Sequence, residues 1–140
     1  GGTILGCKRV PKELLKKYGV VKPKNGQNGT LFEVNDMVEK PQDPSLAPSD
    51  VAVLGRYVLP PEIFSILEKT KPGAGGEIQL TDAIKTSVAI NPCYACVFTG
   101  TRYDIGDKFG YVKANIDFAL KNPELEPKVK EYIKELAKKF

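Results

Sequence analysis

The run from Val51 to Leu59 is almost wholly apolar, and it constrains the fold more than any other segment of the chain. It has the length of one strand, contains Gly55 and is stopped by two consecutive prolines, Pro60 and Pro61. Apolar runs of strand length that do not alternate with polar residues are typical of strands buried on both faces. The run therefore predicts a strand inside a sheet that is covered on both sides.

Further strand-like segments precede and follow this run. They are Thr3–Val10, Gly19–Val21, Leu31–Lys40 and Tyr94–Phe98. The turn-forming cluster Asn25–Gly29 separates the second of them from the third, which is typical of a β-hairpin. The segment Pro41–Asp50 holds three prolines and few apolar residues, so we expect a loop there.

Helical patterns alternate with these strands. A short helix is expected from Pro11 to Tyr18, and a helix near Leu80 has Thr81 or Asp82 as its candidate cap. Apolar residues recur at helical spacing in four places: Ile63, Ile66 and Leu67; Leu80, Ile84 and Val88; Phe109, Val112, Ile116 and Leu120; and Val129, Ile133, Leu136 and Phe140. We expect the last two stripes to be core or interface positions. The whole pattern predicts an α/β fold in which helices flank a mixed sheet with one hairpin, and residues 1–140 form a single domain.

Length and charge exclude several classes of function. The 140 residues suffice for one ordinary domain, and 41% hydrophobic content with 27% charged residues fits a globular protein. No apolar run approaches the roughly 20 residues of a membrane span. The net charge of +4 comes mostly from lysines near both ends, which lack the density of a nucleic-acid-binding patch. We therefore predict neither a nucleic-acid nor a membrane partner.

The three cysteines, Cys7, Cys93 and Cys96, are an odd set in a chain without histidine. Cys93 and Cys96 have the spacing of a redox motif or of half a zinc site, but the other half of such a site is missing. We interpret them as buried or incidental thiols, with metal or redox chemistry as the alternative. Free thiols favour a cytoplasmic location.

Two short motifs place charged groups where strand-like segments end. Asp104 follows the strand Tyr94–Phe98 and precedes a glycine turn and a helix start, which in α/β folds is a position for ligands and metals. Glu39 and Lys40 close the strand before Pro41. Together they indicate recognition of a phosphorylated, hydroxyl-rich substrate with a divalent metal. From the residues alone, a turn aspartate that accepts local backbone N–H groups is an equal alternative for Asp104.

Five blocks in the same order carry a resemblance to a known family. They are Tyr18–Val21, Val38–Pro41, Gly55–Leu59, Gly76–Ile84 and Tyr103–Tyr111. Each block is weak alone, but in register across nearly the whole chain they resemble the C-terminal half of the bacterial UTP–glucose-1-phosphate uridylyltransferases. No segment matches that family's N-terminal half, which carries a glycine-rich nucleotide loop and a first metal-binding aspartate. The chain is therefore expected to be a fragment.

The resemblance implies a fold, a reaction and partners. The fold would be the C-terminal part of a Rossmann-like nucleotide-diphospho-sugar transferase. The reaction would join UTP and glucose 1-phosphate into UDP-glucose and pyrophosphate, with Mg²⁺ as cofactor. The expected assembly is a homo-oligomer or an association with the missing N-terminal half, which would hold the nucleotide.

The resemblance also implies roles for individual residues. Asp104 would bind the metal, Lys40 would bind the sugar phosphate, and Glu39 would accept hydrogen bonds from sugar hydroxyls. Both Glu39 and Lys40 can face one ligand only if the strand bends or ends there. Gly19 would let a backbone amide approach the sugar, with a simple turn as the alternative. Gly55 and Arg56 would line the sugar pocket. A glycine that permits a bend and an arginine on the surface are equally good interpretations of these two residues.

Other residues and functions stay open at this point. Asp107 is expected to cap the following helix, while Glu77 and Gln79 have direct-contact, supporting or subunit-contact roles as alternatives. A thymidylyl- or other sugar-nucleotide transferase is the second enzymatic hypothesis, because the absent half would choose the base. The non-enzymatic hypothesis is an inactive binding or assembly module.

Overall fold

The computed structural model describes residues 1–140, apart from the side chain of residue 74, and it comprises two compact units, residues 1–99 and 100–140. The strands are β1 (Thr3–Arg9), β2 (Gly19–Pro23), β3 (Leu31–Glu39), β4 (Val51–Val58) and β5 (Cys93–Val97). The α-helices are α1 (Ile63–Leu67), α2 (Leu80–Val88), α3 (Lys108–Ala119) and α4 (Glu126–Ala137). Short 3₁₀ helices span Lys12–Lys17, Pro44–Leu46 and Ala74–Gly76. Within the described residues, no helix has the length and apolarity needed to cross a bilayer.

All five strands of the first unit belong to one mixed sheet. Its order is β1-β4-β2-β3-β5, and it closes into a barrel because β5 pairs with β3 on one side and with β1 on the other. The β1–β5 pair is parallel, and the remaining pairs are antiparallel, including the β2–β3 hairpin. The predicted mixed sheet with a hairpin and flanking helices is confirmed, and closure removes the open sheet edges.

The core lies inside this barrel and under α2. Alternate residues of β1 point inward, and Leu5 and Cys7 are fully buried there. Ala83 and Ile84 of α2 are also fully buried, and they belong to the same apolar cluster as Met37 of β3. Burying one such large aliphatic side chain contributes about 1.5–3 kcal/mol. This shared packing holds the start of α2 close to the end of β3.

Strand β4 departs from the prediction that it is buried on both faces. Only its first part, Val51–Val53, is buried, and the residues from Gly55 onward are exposed. The pairing with β1 shifts here, because Cys7 pairs with Val53 whereas Gly6 pairs with Arg56. Gly55 has φ +73° at this bulge, in the left-handed region that glycine adopts without a steric penalty. The bulge turns the second half of β4 away from the core.

Two predictions at helix starts are also corrected. The segment after Pro11 is a 3₁₀ helix, in which Pro11 precedes the first helical residue. In α2 the cap position is Gln79, with no side-chain cap hydrogen bond, so Thr81 and Asp82 lie inside the first turn. Helix propensity and capping signals fix such boundaries only to within one or two residues.

The second unit contains α3 and α4. Asp107 caps α3 as predicted, since its Oδ2 accepts a hydrogen bond from the Gly110 N–H at 2.7 Å. Of the two roles expected for the α3 stripe, core or interface, burial in a core does not apply, because Phe109, Val112 and Ile116 are 75%, 50% and 39% exposed. In α4, Phe140 is likewise exposed and Ile133 is 38% exposed. A unit of this size has little interior to bury two stripes, and an interface role for them stays a prediction.

Asp107→Ala is expected to destabilise the second unit, since one donor at the start of α3 would lose its partner. The expected cost is about 1 kcal/mol, within the usual range for loss of an N-cap side chain. Amide hydrogen exchange in α3 should report it as faster exchange of the first-turn amides. Asp107→Ser is the matched control, because a serine hydroxyl can accept the same bond. Equal exchange in both variants and in the parent chain would contradict the capping role.

Candidate functional site

A cleft of about 650 Å³ lies where β3 ends and the segment leading into α2 passes by. It is lined by Val38, Glu39, Lys40 and Gln42 on one side and by Gly75, Glu77 and Gln79 on the other. The two charged residues that the sequence singles out at the end of β3 are therefore brought together in one concave site. Its volume falls in the range of small-molecule sites.

Glu39 is held on the floor of this cleft. Its side chain is only 15% exposed, and its Oε2 accepts a hydrogen bond from Thr81 Oγ1 at 2.7 Å. Its negative charge also acts on Tyr57. Burial is the larger cause and the charge of Glu39 the second cause that raise the pKa of the Tyr57 phenol above its ordinary value. A carboxylate so placed can accept hydrogen bonds from ligand hydroxyls.

Lys40 lies at the rim, and its backbone explains how consecutive residues line one cleft. β3 ends at Glu39, and Lys40 has φ +45°, the single non-glycine residue with positive φ in the described chain. Its backbone N–H donates to the Tyr18 carbonyl at 3.0 Å, which helps to hold the turn. The ammonium lies 3.7 Å from Glu39 Oε1, and the side chain is half exposed. The expected end of the strand at this point is confirmed.

Gly19 lies opposite Glu39 in the β2–β3 pairing and is buried. A Cβ atom at this position would lie 3.0 Å from Glu39 Oε2 and 3.6 Å from Thr81 Cγ2. The absence of a side chain therefore leaves room for the Glu39 carboxylate. A role for the Gly19 amide toward a sugar stays a prediction.

Gly55 and Arg56 lie elsewhere in the first unit. They occupy the β4 bulge, and neither is among the described residues that line the cleft. Arg56 is exposed, and β1 approaches it so closely that a Cβ on Gly6 would fall 2.7 Å from Arg56 Cβ. The positive φ at Gly55 accounts for glycine there without any ligand.

Asp104 belongs to the second unit, where its side chain is 51% exposed. Oδ1 accepts a hydrogen bond from the Gly106 N–H at 3.2 Å, and Oδ2 lies 3.6 Å from Arg102 Nη1. A Cβ on Gly110 would collide with the Asp104 carbonyl oxygen, so the start of α3 packs directly on this backbone. The turn interaction expected for an aspartate is present, and each oxygen keeps a lone pair that a cation could use.

Two of the three cysteines, Cys7 and Cys93, are thiols with low reactivity. Cys7 and Cys93 are buried, Cys96 is partly exposed, and all three are free. Burial raises the pKa of Cys7 to about 12, with the nearby Cys93 and Cys96 adding to the effect, and burial raises the pKa of Cys93 to about 12. The prediction of buried thiols is confirmed for these two residues, which stay protonated at neutral pH.

The structure adds Thr81 to the site, a residue that the sequence had indicated only as a candidate helix cap. Thr81 was a candidate helix cap, but its hydroxyl donates to Glu39, which is 42 residues away along the chain. Glu77 and Gln79, whose roles were open, line the cleft. A signal was present in the Gly76–Ile84 block, but no local pattern in one sequence says that this block meets the end of β3.

Comparison with known proteins agrees with this fold. The family model described as nucleotidyl transferase matches residues 2–121. The chain therefore belongs to the nucleotidyl transferase family.

Within that family, the chain is similar to UTP–glucose-1-phosphate uridylyltransferases. It is 52% identical over 130 residues to uridylyltransferase 2 of Streptococcus pyogenes, which covers 93% of this chain and 43% of the relative. A second S. pyogenes uridylyltransferase is 50% identical over 136 residues, covering 97% of the chain and 44% of the relative. The chain thus spans less than half the length of these relatives.

Solved structures give the same picture. UDP-glucose pyrophosphorylase in complex with UDP-glucose has a TM-score of 0.79 at 41% identity, covering 86% of this chain and 45% of that structure. The UTP-bound enzyme from Acinetobacter baumannii has a TM-score of 0.83 at 37% identity, covering 96% and 46%. The predicted fold class and family resemblance are confirmed.

Proposed function

We propose that this chain supplies the sugar-phosphate side of a UTP–glucose-1-phosphate uridylyltransferase. The observation that carries the proposal is the convergence of Glu39 and Lys40 in one cleft, on a chain half identical to enzymes of that name. The cleft offers a carboxylate for sugar hydroxyls and an ammonium for a phosphate. These are the two kinds of group that glucose 1-phosphate presents.

The reaction needs alignment and charge neutralisation more than a reactive side chain. A phosphate oxygen of glucose 1-phosphate attacks the α-phosphorus of UTP, the new P–O bond forms, and the bond to the β-phosphate oxygen breaks, releasing pyrophosphate. The nucleophile is already an anion, so no side chain has to remove a proton from it. Catalysis then depends on positioning and on preorganised positive charge.

Each site residue has a role in this scheme. Lys40 binds the phosphate of the sugar and neutralises part of its charge, which its compact ammonium suits. Glu39 accepts hydrogen bonds from sugar hydroxyls. Gly19 leaves space beside that carboxylate. Gly55 and Arg56, which do not line the cleft, stay candidates for the sugar pocket on the resemblance alone.

Asp104 fits a magnesium ion. Mg²⁺ binds oxygen ligands, retains several waters and needs only one or two protein carboxylates when phosphate supplies the rest. Asp104 offers one exposed carboxylate, with capacity left beyond its bonds to Gly106 and Arg102. No cluster of three or more acidic, cysteine or histidine ligands occurs in the part of the chain that the structure describes. When bound, the ion would neutralise charge on the phosphates.

We further propose that residues 1–140 act as one domain with a partner half. The family match runs from residue 2 to residue 121 and so includes residues of both units. UTP would be held by a segment corresponding to the N-terminal part of the relatives, and the assembly would be a homo-oligomer or a complex with that segment. The three free thiols favour a cytoplasmic location.

A hybrid enzyme tests this function. The N-terminal part of the S. pyogenes relative is joined to this chain, so that the chain replaces the matching 130 residues. With UTP, glucose 1-phosphate and Mg²⁺, the hybrid is expected to release pyrophosphate and form UDP-glucose, whereas the chain alone is expected to be inactive. A folded hybrid without turnover, or clear turnover by the chain alone, would refute the proposal that this chain binds the sugar phosphate while an N-terminal part binds UTP. Replacing UTP by dTTP in the same assay tests the thymidylyl alternative.

A further inference from the structure

The hydrogen bond between Thr81 and Glu39 joins two elements that meet only in the folded chain. Thr81 lies in the first turn of α2, Glu39 ends β3, and the donor and acceptor are 2.7 Å apart in a partly buried setting. The bond occupies Oε2, while Oε1 lies 3.7 Å from the Lys40 ammonium. The two carboxylate oxygens therefore have different surroundings: Thr81 holds Oε2, and Oε1 lies on the side of Lys40.

The Thr81 hydroxyl bonds differently from that of Thr86 in the same helix. Thr86 Oγ1 donates to the Asp82 carbonyl at 3.1 Å, and Thr70 Oγ1, just beyond α1, donates to the Ile66 carbonyl at 2.8 Å, both four residues back. Such local bonding is the common choice for a helical threonine. Thr81 instead donates across to a charged side chain, and bonds to ionised acceptors are the stronger kind.

Gly19 lies beside the same oxygen of the Glu39 carboxylate. A Cβ there would lie 3.0 Å from Oε2 and 3.6 Å from the Thr81 methyl carbon. A side chain at position 19 would therefore compete with Thr81 for the same space. Glycine at this position and threonine on α2 together define where the carboxylate sits.

We propose that Thr81 is a positioning residue that orients Glu39 for sugar recognition, with Gly19 providing the space. The inference rests on the proposed function and extends it to a residue that does not itself touch the sugar. Because Thr81 holds Oε2, Glu39 presents its carboxylate to the hydroxyls of a hexose 1-phosphate in one defined orientation. A free carboxylate would have to lose rotational freedom on binding, which weakens affinity.

An NMR titration of the 140-residue chain with glucose 1-phosphate tests the inference. Thr81→Val keeps the shape but removes the hydroxyl, and it is expected to weaken binding about 2- to 12-fold, the cost of ordering one free side chain on binding. Thr81→Ser should bind within about twofold of the parent chain, and Gly19→Ala should weaken binding as Thr81→Val does. Thr86→Val is the matched control, since it removes a hydroxyl of the same helix that bonds only locally, and it should bind normally.

Glu39→Gln separates positioning from a general structural effect. If Thr81 acts through Glu39, the double variant Thr81→Val/Glu39→Gln should bind no more weakly than Glu39→Gln alone, and amide spectra of the single variants should show the parent fold. Weakened binding by Glu39→Gln together with normal binding by Thr81→Val would overturn the inference and leave the proposed function standing. Absence of any glucose 1-phosphate effect on the Glu39 and Lys40 signals of the parent chain would overturn both.

Discussion

Asp104→Asn is expected to reduce uridylyl transfer by the hybrid enzyme about 10²- to 10³-fold in kcat, the usual scale for removing one preorganised electrostatic group. Asparagine keeps an oxygen that can accept the Gly106 N–H, so the turn should persist. It removes the negative charge that a hard divalent cation requires. The loss should therefore be accompanied by a higher Mg²⁺ requirement, measured as a shift of the Mg²⁺ activation curve to higher concentration.

Asp107→Asn is the matched control for this prediction. It removes one negative charge from the same turn, three residues away, and asparagine is as good a helix cap as aspartate. Because Asp107 is engaged in capping α3 at Gly110, its variant should keep the activity and Mg²⁺ dependence of the parent hybrid. Equal activity in the Asp104 and Asp107 variants would show that Asp104 is a turn residue and not a metal ligand.

The local elements were predictable from sequence because their signals are local. Strand β3, the hairpin before it and the Asp107 cap follow from apolar alternation, turn residues and a single side-chain oxygen. Closure of the barrel was not predictable in this way, since it depends on pairing of β5 with both β1 and β3. The exposed half of β4 was missed for a related reason: its apolar composition does not reveal the bulge at Gly55.

The candidate site was likewise predictable where the signals are local and not where they depend on packing. Glu39 and Lys40 were identified as a pair, and the end of the strand that lets them share a cleft was anticipated from Pro41. The positive φ that achieves this is a backbone property of Lys40, and lysine has no preference for that region. Thr81 was assigned to a cap because capping is the common local use of such a residue. Its actual partner is set by the packing of α2 on the sheet.

Removal of the Lys40 ammonium is the second change with a large expected effect. Lys40→Met keeps most of the side-chain length but loses the charge, and it should lower kcat/KM of the hybrid for glucose 1-phosphate by about 10²-fold or more, because the charge is proposed to act on phosphate. Stability should change little, since the pair with Glu39 is long and the Lys40 side chain is half exposed, and pairs with an exposed partner contribute at most about 1 kcal/mol. The measurements are steady-state kinetics and urea unfolding of the same samples.

Lys40→Gly tests whether the strained backbone conformation of residue 40 is linked to function. Lys40 is held at φ +45°, where a residue with a Cβ costs roughly 1–2 kcal/mol and glycine does not. Part of that gain is offset by the greater freedom of glycine in the unfolded chain, so the free energy of unfolding should stay the same or rise by up to about 1 kcal/mol. Activity should nevertheless fall as far as in Lys40→Met.

Lys85→Met is the control for both Lys40 variants. The Lys85 ammonium pairs with Asp36 at 3.3 Å and its side chain is 53% exposed, close to the 51% of Lys40, but Lys85 is not among the described residues lining the cleft. The same loss of a half-exposed charge should therefore leave kcat/KM near that of the parent hybrid. Full activity in Lys40→Gly, or an equal loss in Lys85→Met, would mean that the charge at the end of β3 does not act on the sugar phosphate. A stable but inactive Lys40→Gly would instead show that the left-handed backbone is retained because it brings an ammonium beside Glu39.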